Sequence, residues 1–124
     1  MSHRILVVDD DEGIVEVVQM ALEGEGYEVS TGTDSKSLHQ QLAKQRPSLI
    51  LLDVLLSGDD GRDICQSLKL NEATKCIPVV MLSAHADAGK VAAEGGADDF
   101  LEKPFDVDAL IDIVAKHLPS SQPA

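Results

Sequence analysis

Ile5-Leu6-Val7-Val8-Asp9-Asp10-Asp11-Glu12 decides how this chain of 124 residues folds. Four apolar residues in a row, three of them β-branched, read as a strand covered on both faces, and acids follow it at once. The form recurs in Leu49-Ile50-Leu51-Leu52 before Asp53 and in Val79-Val80-Met81-Leu82 before Ser83. Two further candidates differ. Tyr27-Glu28-Val29-Ser30-Thr31 alternates, and Asp99-Phe100-Leu101-Glu102 is bounded by charge, as edge strands are.

Helical periods fill the gaps. Ile14, Val17, Val18, Ala21 and Leu22 share one face, with Gly24 or Gly26 as the stop. Asp34 or Ser35 caps a helix carrying Leu38 and Leu42 that ends before Pro47. Ile64 and Leu68 mark a third helix, and Val91 with its flanking alanines marks a short fourth, closed by Gly95-Gly96. Asp106 caps a fifth, with Val107, Leu110, Ile111, Val114 and Leu118 in register. The alternation predicts an α/β fold: a doubly wound, five-stranded parallel sheet with five helices on its two faces and right-handed crossovers. With the second and fifth strands at the edges, the order is 2-1-3-4-5, the flavodoxin-like winding. Ligands of such sheets bind where the winding reverses, so the place to look is just after Val8 and just after Leu52.

Composition sets the bounds. Residues 1–118 read as one domain that needs no disulfide or metal to fold, and 119–124 as a disordered tail or the start of a linker. Lys+Arg number 10 against 22 Asp+Glu, a net charge of −12, which argues against direct contact with nucleic acid or an anionic membrane. Cations or a basic partner surface are the natural counterparts. Cys65 and Cys76 lack metal-ligand spacing and read as reduced, part-buried thiols of a cytoplasmic protein. Met1–Arg4 lead straight into a strand, so no signal peptide is expected, and no apolar run approaches the ~20 residues of a membrane span.

The strand ends carry the chemistry. The first and third strands are neighbours, so Asp9 and Asp10 converge on Asp53. Two carboxylates ~4 Å apart repel by roughly 4 kcal/mol at an effective dielectric of ~20. The cluster is therefore tolerable only with a proton or a cation, and hard oxygen ligands suit Mg²⁺. Asp11 and Glu12 read instead as acids that cap and start a helix. Ser83 and Lys103 end the fourth and fifth strands and face the same crevice. Taken singly, a serine there is a turn residue and a lysine is solvated. Together they supply a hydroxyl and an ammonium beside a carboxylate-bound metal, which suits a phosphoryl group. Asp53 is left as the nucleophile, forming an acyl phosphate.

In this order and spacing the motifs are similar to those of a known family. Ile5-Leu6-Val7-Val8-Asp9-Asp10, Leu51-Leu52-Asp53, Met81-Leu82-Ser83-Ala84, and Gly96-Ala97-Asp98-Asp99-Phe100-Leu101 leading to Lys103-Pro104-Phe105 resemble the receiver domains of bacterial two-component response regulators, the CheY-like family, over residues 4–118. The resemblance implies roles. Asp53 is the phosphoacceptor. Asp9, Asp10 and Asp53 hold Mg²⁺, with the backbone carbonyl of Leu55 as a further ligand. Ser83 is the switch hydroxyl, Lys103 pairs with the phosphoryl group, Phe100 is the aromatic switch, and Lys103–Pro104 is cis. It also implies a sensor histidine kinase or a histidine phosphotransfer protein as donor, a downstream effector protein or domain, and a second copy of the chain as a further partner. Three positions depart from the family pattern: Ser57 replaces a proline, Phe100 replaces a tyrosine, and Ser83 lies 20 positions before Lys103, about two fewer than the family pattern implies.

The expected function is a phosphorylation-dependent switch that catalyses only its own phosphotransfer and slow dephosphorylation. Leu55 and His85 flank the path of an attacking water, and their bulk is expected to slow hydrolysis; a solvent-exposed loop histidine is the alternative reading of His85. His3, His39 and His117 show no ligand spacing and carry no assigned role. A haloacid-dehalogenase-type phosphatase also places Asp after a strand, but it wants an acid two residues on, where Leu55 stands. A flavin module shares the winding, but acids replace its phosphate loop. A pseudo-receiver that binds partners without phosphorylation is the softer alternative, and the full Asp–Ser–Lys set argues against it. No DNA-binding or catalytic domain follows Leu118, which fits a stand-alone receiver or a piece of a hybrid kinase or longer regulator equally.

Overall fold

The computed structural model describes residues 3–56, 58–84, 93 and 95–118. Its elements are β1 (Arg4–Val8), α1 (Glu12–Gly24), β2 (Glu28–Gly32), α2 (Ser35–Lys44), β3 (Leu49–Asp53), β4 (Leu55–Leu56), β5 (Asp59–Asp60), α3 (Gly61–Leu70), β6 (Val79–Ser83), β7 (Asp99–Glu102) and α4 (Val107–His117). The main sheet is parallel in the order β2-β1-β3-β6-β7, which is the expected winding. The three continuous apolar runs are its central strands, and the two polar candidates are its edges.

Side chains alternate across the central strands, so each contributes to two cores. Leu6, Val8, Ile50, Leu52 and Met81 pack with Leu38 of α2 and Ile64 and Leu68 of α3. On the other face Ile5, Val7, Leu51, Val80 and Leu82 pack with Val18 and Leu22 of α1 and Leu110 and Val114 of α4. Each such side chain is worth about 1.5–3 kcal/mol when fully buried.

Helix boundaries follow local chemistry. Asp11 caps α1 by accepting from the amides of Gly13 and Ile14 at 3.0 and 3.3 Å. Gly24 ends α1, and Gly26 takes the left-handed φ of +92° that turns the chain into β2. Asp34, not Ser35, is the cap of α2. Asp60 caps α3 and Asp106 caps α4.

Three readings are refined. The described residues hold four helices, and the expected fourth of five falls on 85–92 and 94, outside them; Ala93 and Gly95 beside that stretch are helical. The antiparallel pair β4–β5 was not expected: two-residue strands are too short for a period to show. The two thiols are both free, but they are not a part-buried pair. Cys65, on the inner face of α3, is buried, and burial pushes its thiol up to about 11, whereas Cys76 is exposed. Ser57 and His85 lie outside the described residues.

Candidate functional site

Strand register builds the site. Val8 pairs with Leu52, so Asp9 and Asp53 leave adjacent strands side by side. Asp53 pairs with Leu82, so Ser83 stands one residue beyond it. Ser83 pairs with Glu102, and the amide of the next residue, Lys103, donates to the Ser83 carbonyl at 2.7 Å. Residues scattered over nearly the whole chain thus meet at one edge of the sheet.

Asp9 is fully buried and each of its oxygens has a donor. The amide of Asp11 donates to Oδ1 at 3.0 Å, and the Lys103 ammonium donates to Oδ2 at 2.8 Å. Lys103 Nζ also stands 3.4 Å from Asp53 Oδ1, an oxygen that accepts from the Leu55 amide at 3.4 Å. Asp10 is exposed, and one carboxylate oxygen from each of Asp9, Asp10 and Asp53 lies within 4.8 Å of the others. Three hard oxygen donors so close, one from an exposed side chain open to solvent, are a donor set that fits a divalent cation such as Mg²⁺.

The neighbouring charges shift both ionisable partners, Asp53 and Lys103. Burial first, and the Asp9 charge second, push Asp53 up to about 6, with Lys103 opposing them. Burial by itself would lower the Lys103 ammonium, but its hydrogen bond to Asp9 and the charges of Asp53 and Asp9 outweigh that and raise it. Within the cluster the Lys103 ammonium is the charge that offsets Asp9 and Asp53.

The other expected residues are placed as follows. Ser83 is buried at the end of β6. Leu55 is 58% exposed beside Asp53, and Phe100 is 41% exposed on β7 opposite Met81. Lys103–Pro104 is cis, as the resemblance implies. A groove of about 480 Å³ opens beside Lys103, lined by Ile14, Val17, Ala84, Pro104 and Phe105.

Sequence reasoning assigned no role to Gly61. Its amide donates to the Val54 carbonyl at 2.6 Å, and a Cβ there would overlap the Asp53 carbonyl oxygen and lie 2.9 Å from Val54 Cα. Only glycine lets the start of α3 lie against the chain leaving Asp53. The signal available was a glycine directly after a capping Asp60. His117, also given no role, places Nε2 2.9 Å from an Asp99 oxygen shared with Lys116 at 3.1 Å.

Fold and site together describe a pocket of three acids and a lysine at the carboxyl ends of a doubly wound parallel sheet. The model of the response regulator receiver domain matches residues 5–115, and the chain belongs to that family. It is 44% identical over 108 residues to the response regulator PleD of Caulobacter vibrioides, covering 86% of this chain and 24% of that protein. It is 38% identical over 113 residues to the DNA-binding response regulator MtrA of Mycobacterium tuberculosis, covering 90% and 48%. The signal receiver domain of a histidine kinase from Syntrophus aciditrophicus superposes with a TM-score of 0.88 at 30% identity, covering 99% of this chain and 95% of that one. The chain spans a quarter to a half of the length of these curated relatives. Among the described residues no helix is long and apolar enough to cross a membrane.

Proposed function

We propose that this receiver domain takes a phosphoryl group onto Asp53 from a phosphohistidine of a sensor histidine kinase or histidine phosphotransfer protein. The observation that carries this is the meeting of Asp9, Asp10, Asp53 and Lys103 at the ends of three strands of one sheet, with Ser83 ending a fourth strand between Asp53 and Lys103.

An Asp53 carboxylate oxygen attacks the phosphorus. The new P–O bond forms as the P–N bond breaks, and the imidazole nitrogen leaves with its electron pair and takes a proton. Asp9, Asp10 and Asp53, with the Leu55 carbonyl, would hold Mg²⁺, whose charge offsets that of the phosphoryl oxygens when it is bound. Lys103, already 3.4 Å from Asp53 Oδ1, meets a second phosphoryl oxygen, and the Ser83 hydroxyl meets a third. The groove lined by Ile14, Val17 and Phe105 is continuous with the site at Lys103 and receives the donor protein.

Phosphorylation adds about −1.5 to −2 charge to the pocket. Ser83 moves toward it and Phe100, exposed in this state, turns into the space vacated. The face around Phe100 then changes for a downstream effector. A switch from ~1:99 to ~99:1 needs ~5.5 kcal/mol of differential stabilisation. The unit is residues 1–118 acting in the cytoplasm as a signalling switch, not a turnover enzyme.

Treatment with acetyl phosphate and Mg²⁺ is expected to add the mass of one phosphoryl group, lost in Asp53→Asn. An equal adduct on Asp53→Asn refutes the assignment.

A further inference from the structure

The entries of β6 and β7, at the end of the sheet far from the acids, are tied by a second polar cluster. Asp98 Oδ2 accepts from the Val79 amide at 2.8 Å and from the Lys69 ammonium at 2.6 Å. The Asp98 amide donates to the Val79 carbonyl at 2.9 Å, and Lys69 Nζ also donates to the Ile77 carbonyl at 2.8 Å. One carboxylate thereby joins the last turn of α3, the start of β6 and the start of β7.

β7 needs such a tie. It is a four-residue edge strand whose residues alternate between half-buried and exposed, so apolar burial specifies its register weakly. Its register nevertheless decides the site, because Lys103 follows directly and lies against Ser83. A slip of one residue would carry Lys103 about 3.3 Å along the sheet and turn it to the other face.

We propose that Asp98, held by Lys69, is a positioning residue: it sets the register of β7 on β6, and so the level of Lys103 against Ser83 and Asp53. The effect on phosphotransfer rests on the phosphoacceptor reading above; the claim about register does not. The Lys69 side chain is 20% exposed and also bonds the Ile77 carbonyl, so Lys69→Met, which keeps most of the apolar stem, tests the tie, with Asp98→Ala as the stronger variant and Lys69→Arg as the conservative one. Amide hydrogen exchange is read at Lys103, whose amide bonds the Ser83 carbonyl, with the amides of β1 and β3 as internal controls. Asp98→Ala is expected to speed exchange at Lys103 by about ten-fold relative to those controls, as for the loss of one charge-assisted hydrogen bond, with Lys69→Met smaller and Lys69→Arg near the parent. The rate of labelling by acetyl phosphate at saturating Mg²⁺ is expected to fall in parallel, with Mg²⁺ affinity within about two-fold of the parent. Uniform acceleration at all amides, or no change at Lys103, overturns the proposal. Selective acceleration with an unchanged labelling rate overturns the positioning role. If the parent takes no label at all, it is the phosphoacceptor reading that fails, and the exchange result still decides the register.

Discussion

Asp53 and Asp60 are seven positions apart and chemically identical, yet their carboxyls shift in opposite directions. Asp60 opens a helix. The Arg62 side chain first, and the Arg62 amide with it, hold its carboxyl below the usual range, at distances of 2.7 and 2.8 Å. Asp34 behaves likewise at the start of α2, lowered by the amide and then the hydroxyl of Ser37. Asp53 ends a buried strand and faces Asp9, so burial and like charge raise it. Asp60 also ends β5, but that strand is two residues long and the Asp60 carboxyl meets donors; acids that accept from helix-start amides stabilise the fold, whereas an acid that ends a buried strand facing another acid is tolerated by it. An excess of 12 negative charges therefore says little until each acid is assigned to one end or the other.

The contrast is sharpest at Lys103. Lys103→Met leaves fully buried Asp9 without its cation, and removal of one partner of a buried pair costs about 3–5 kcal/mol. Urea unfolding without divalent ions is expected to show a loss of that order, and added Mg²⁺ is expected to recover part of it. A neutral result would mean that the strand-end acids are not a charge cluster.

Asp53→Asn is expected to act in the opposite sense. A carboxyl whose folded value is raised to about 6 contributes stability below its unfolded value near 4, and loses it as pH rises through about 6. The parent is therefore expected to lose stability across that window, and the variant is not. At pH 7.5 the variant is expected to be more stable by on the order of 2 kcal/mol, read from unfolding midpoints at several pH values. Parallel pH profiles for the two proteins would show that Asp53 sits in no unfavourable field.

Asp60→Ala is expected to destabilise by about 1 kcal/mol, the usual worth of a helix cap, with the sign opposite to that of Asp53→Asn. A gain in stability would erase the distinction between helix starts and strand ends. The smallest effect is kinetic. Leu55 is 58% exposed beside Asp53, and Leu55→Asn, which opens the path of water and offers it a polar partner, is expected to shorten the phosphoprotein's half-life about three-fold, about 0.7 kcal/mol on the barrier. An unchanged half-life removes Leu55 from the account of hydrolysis.

Much of this site was legible because its residues sit at strand ends, and strand ends show as the last apolar residue of a run. Val8-Asp9, Leu52-Asp53 and Leu82-Ser83 are such junctions. Asp11, Asp34 and Asp106 were legible as caps for a similar reason: a helix announces its start within three residues. Gly61, Lys69 and Asp98 were not legible. Gly61 matters only because α3 begins against the Asp53 carbonyl, and the Lys69–Asp98 pair spans two elements whose contact no local pattern records.

What the sequence by itself determined is the order of the five strands of the main sheet, the faces they bury and which residues stand at its carboxyl edge, because hydrophobic period and capping act over a few residues. The tertiary structure alone decided that the Lys103 ammonium lies closer to Asp9 than to Asp53, that the Asp53 carboxyl is raised by burial and by Asp9, and that Asp98 ties two strands at their entry. Those are matters of ångströms between chain segments far apart in sequence, and Coulomb energy and hydrogen bonding depend on that separation.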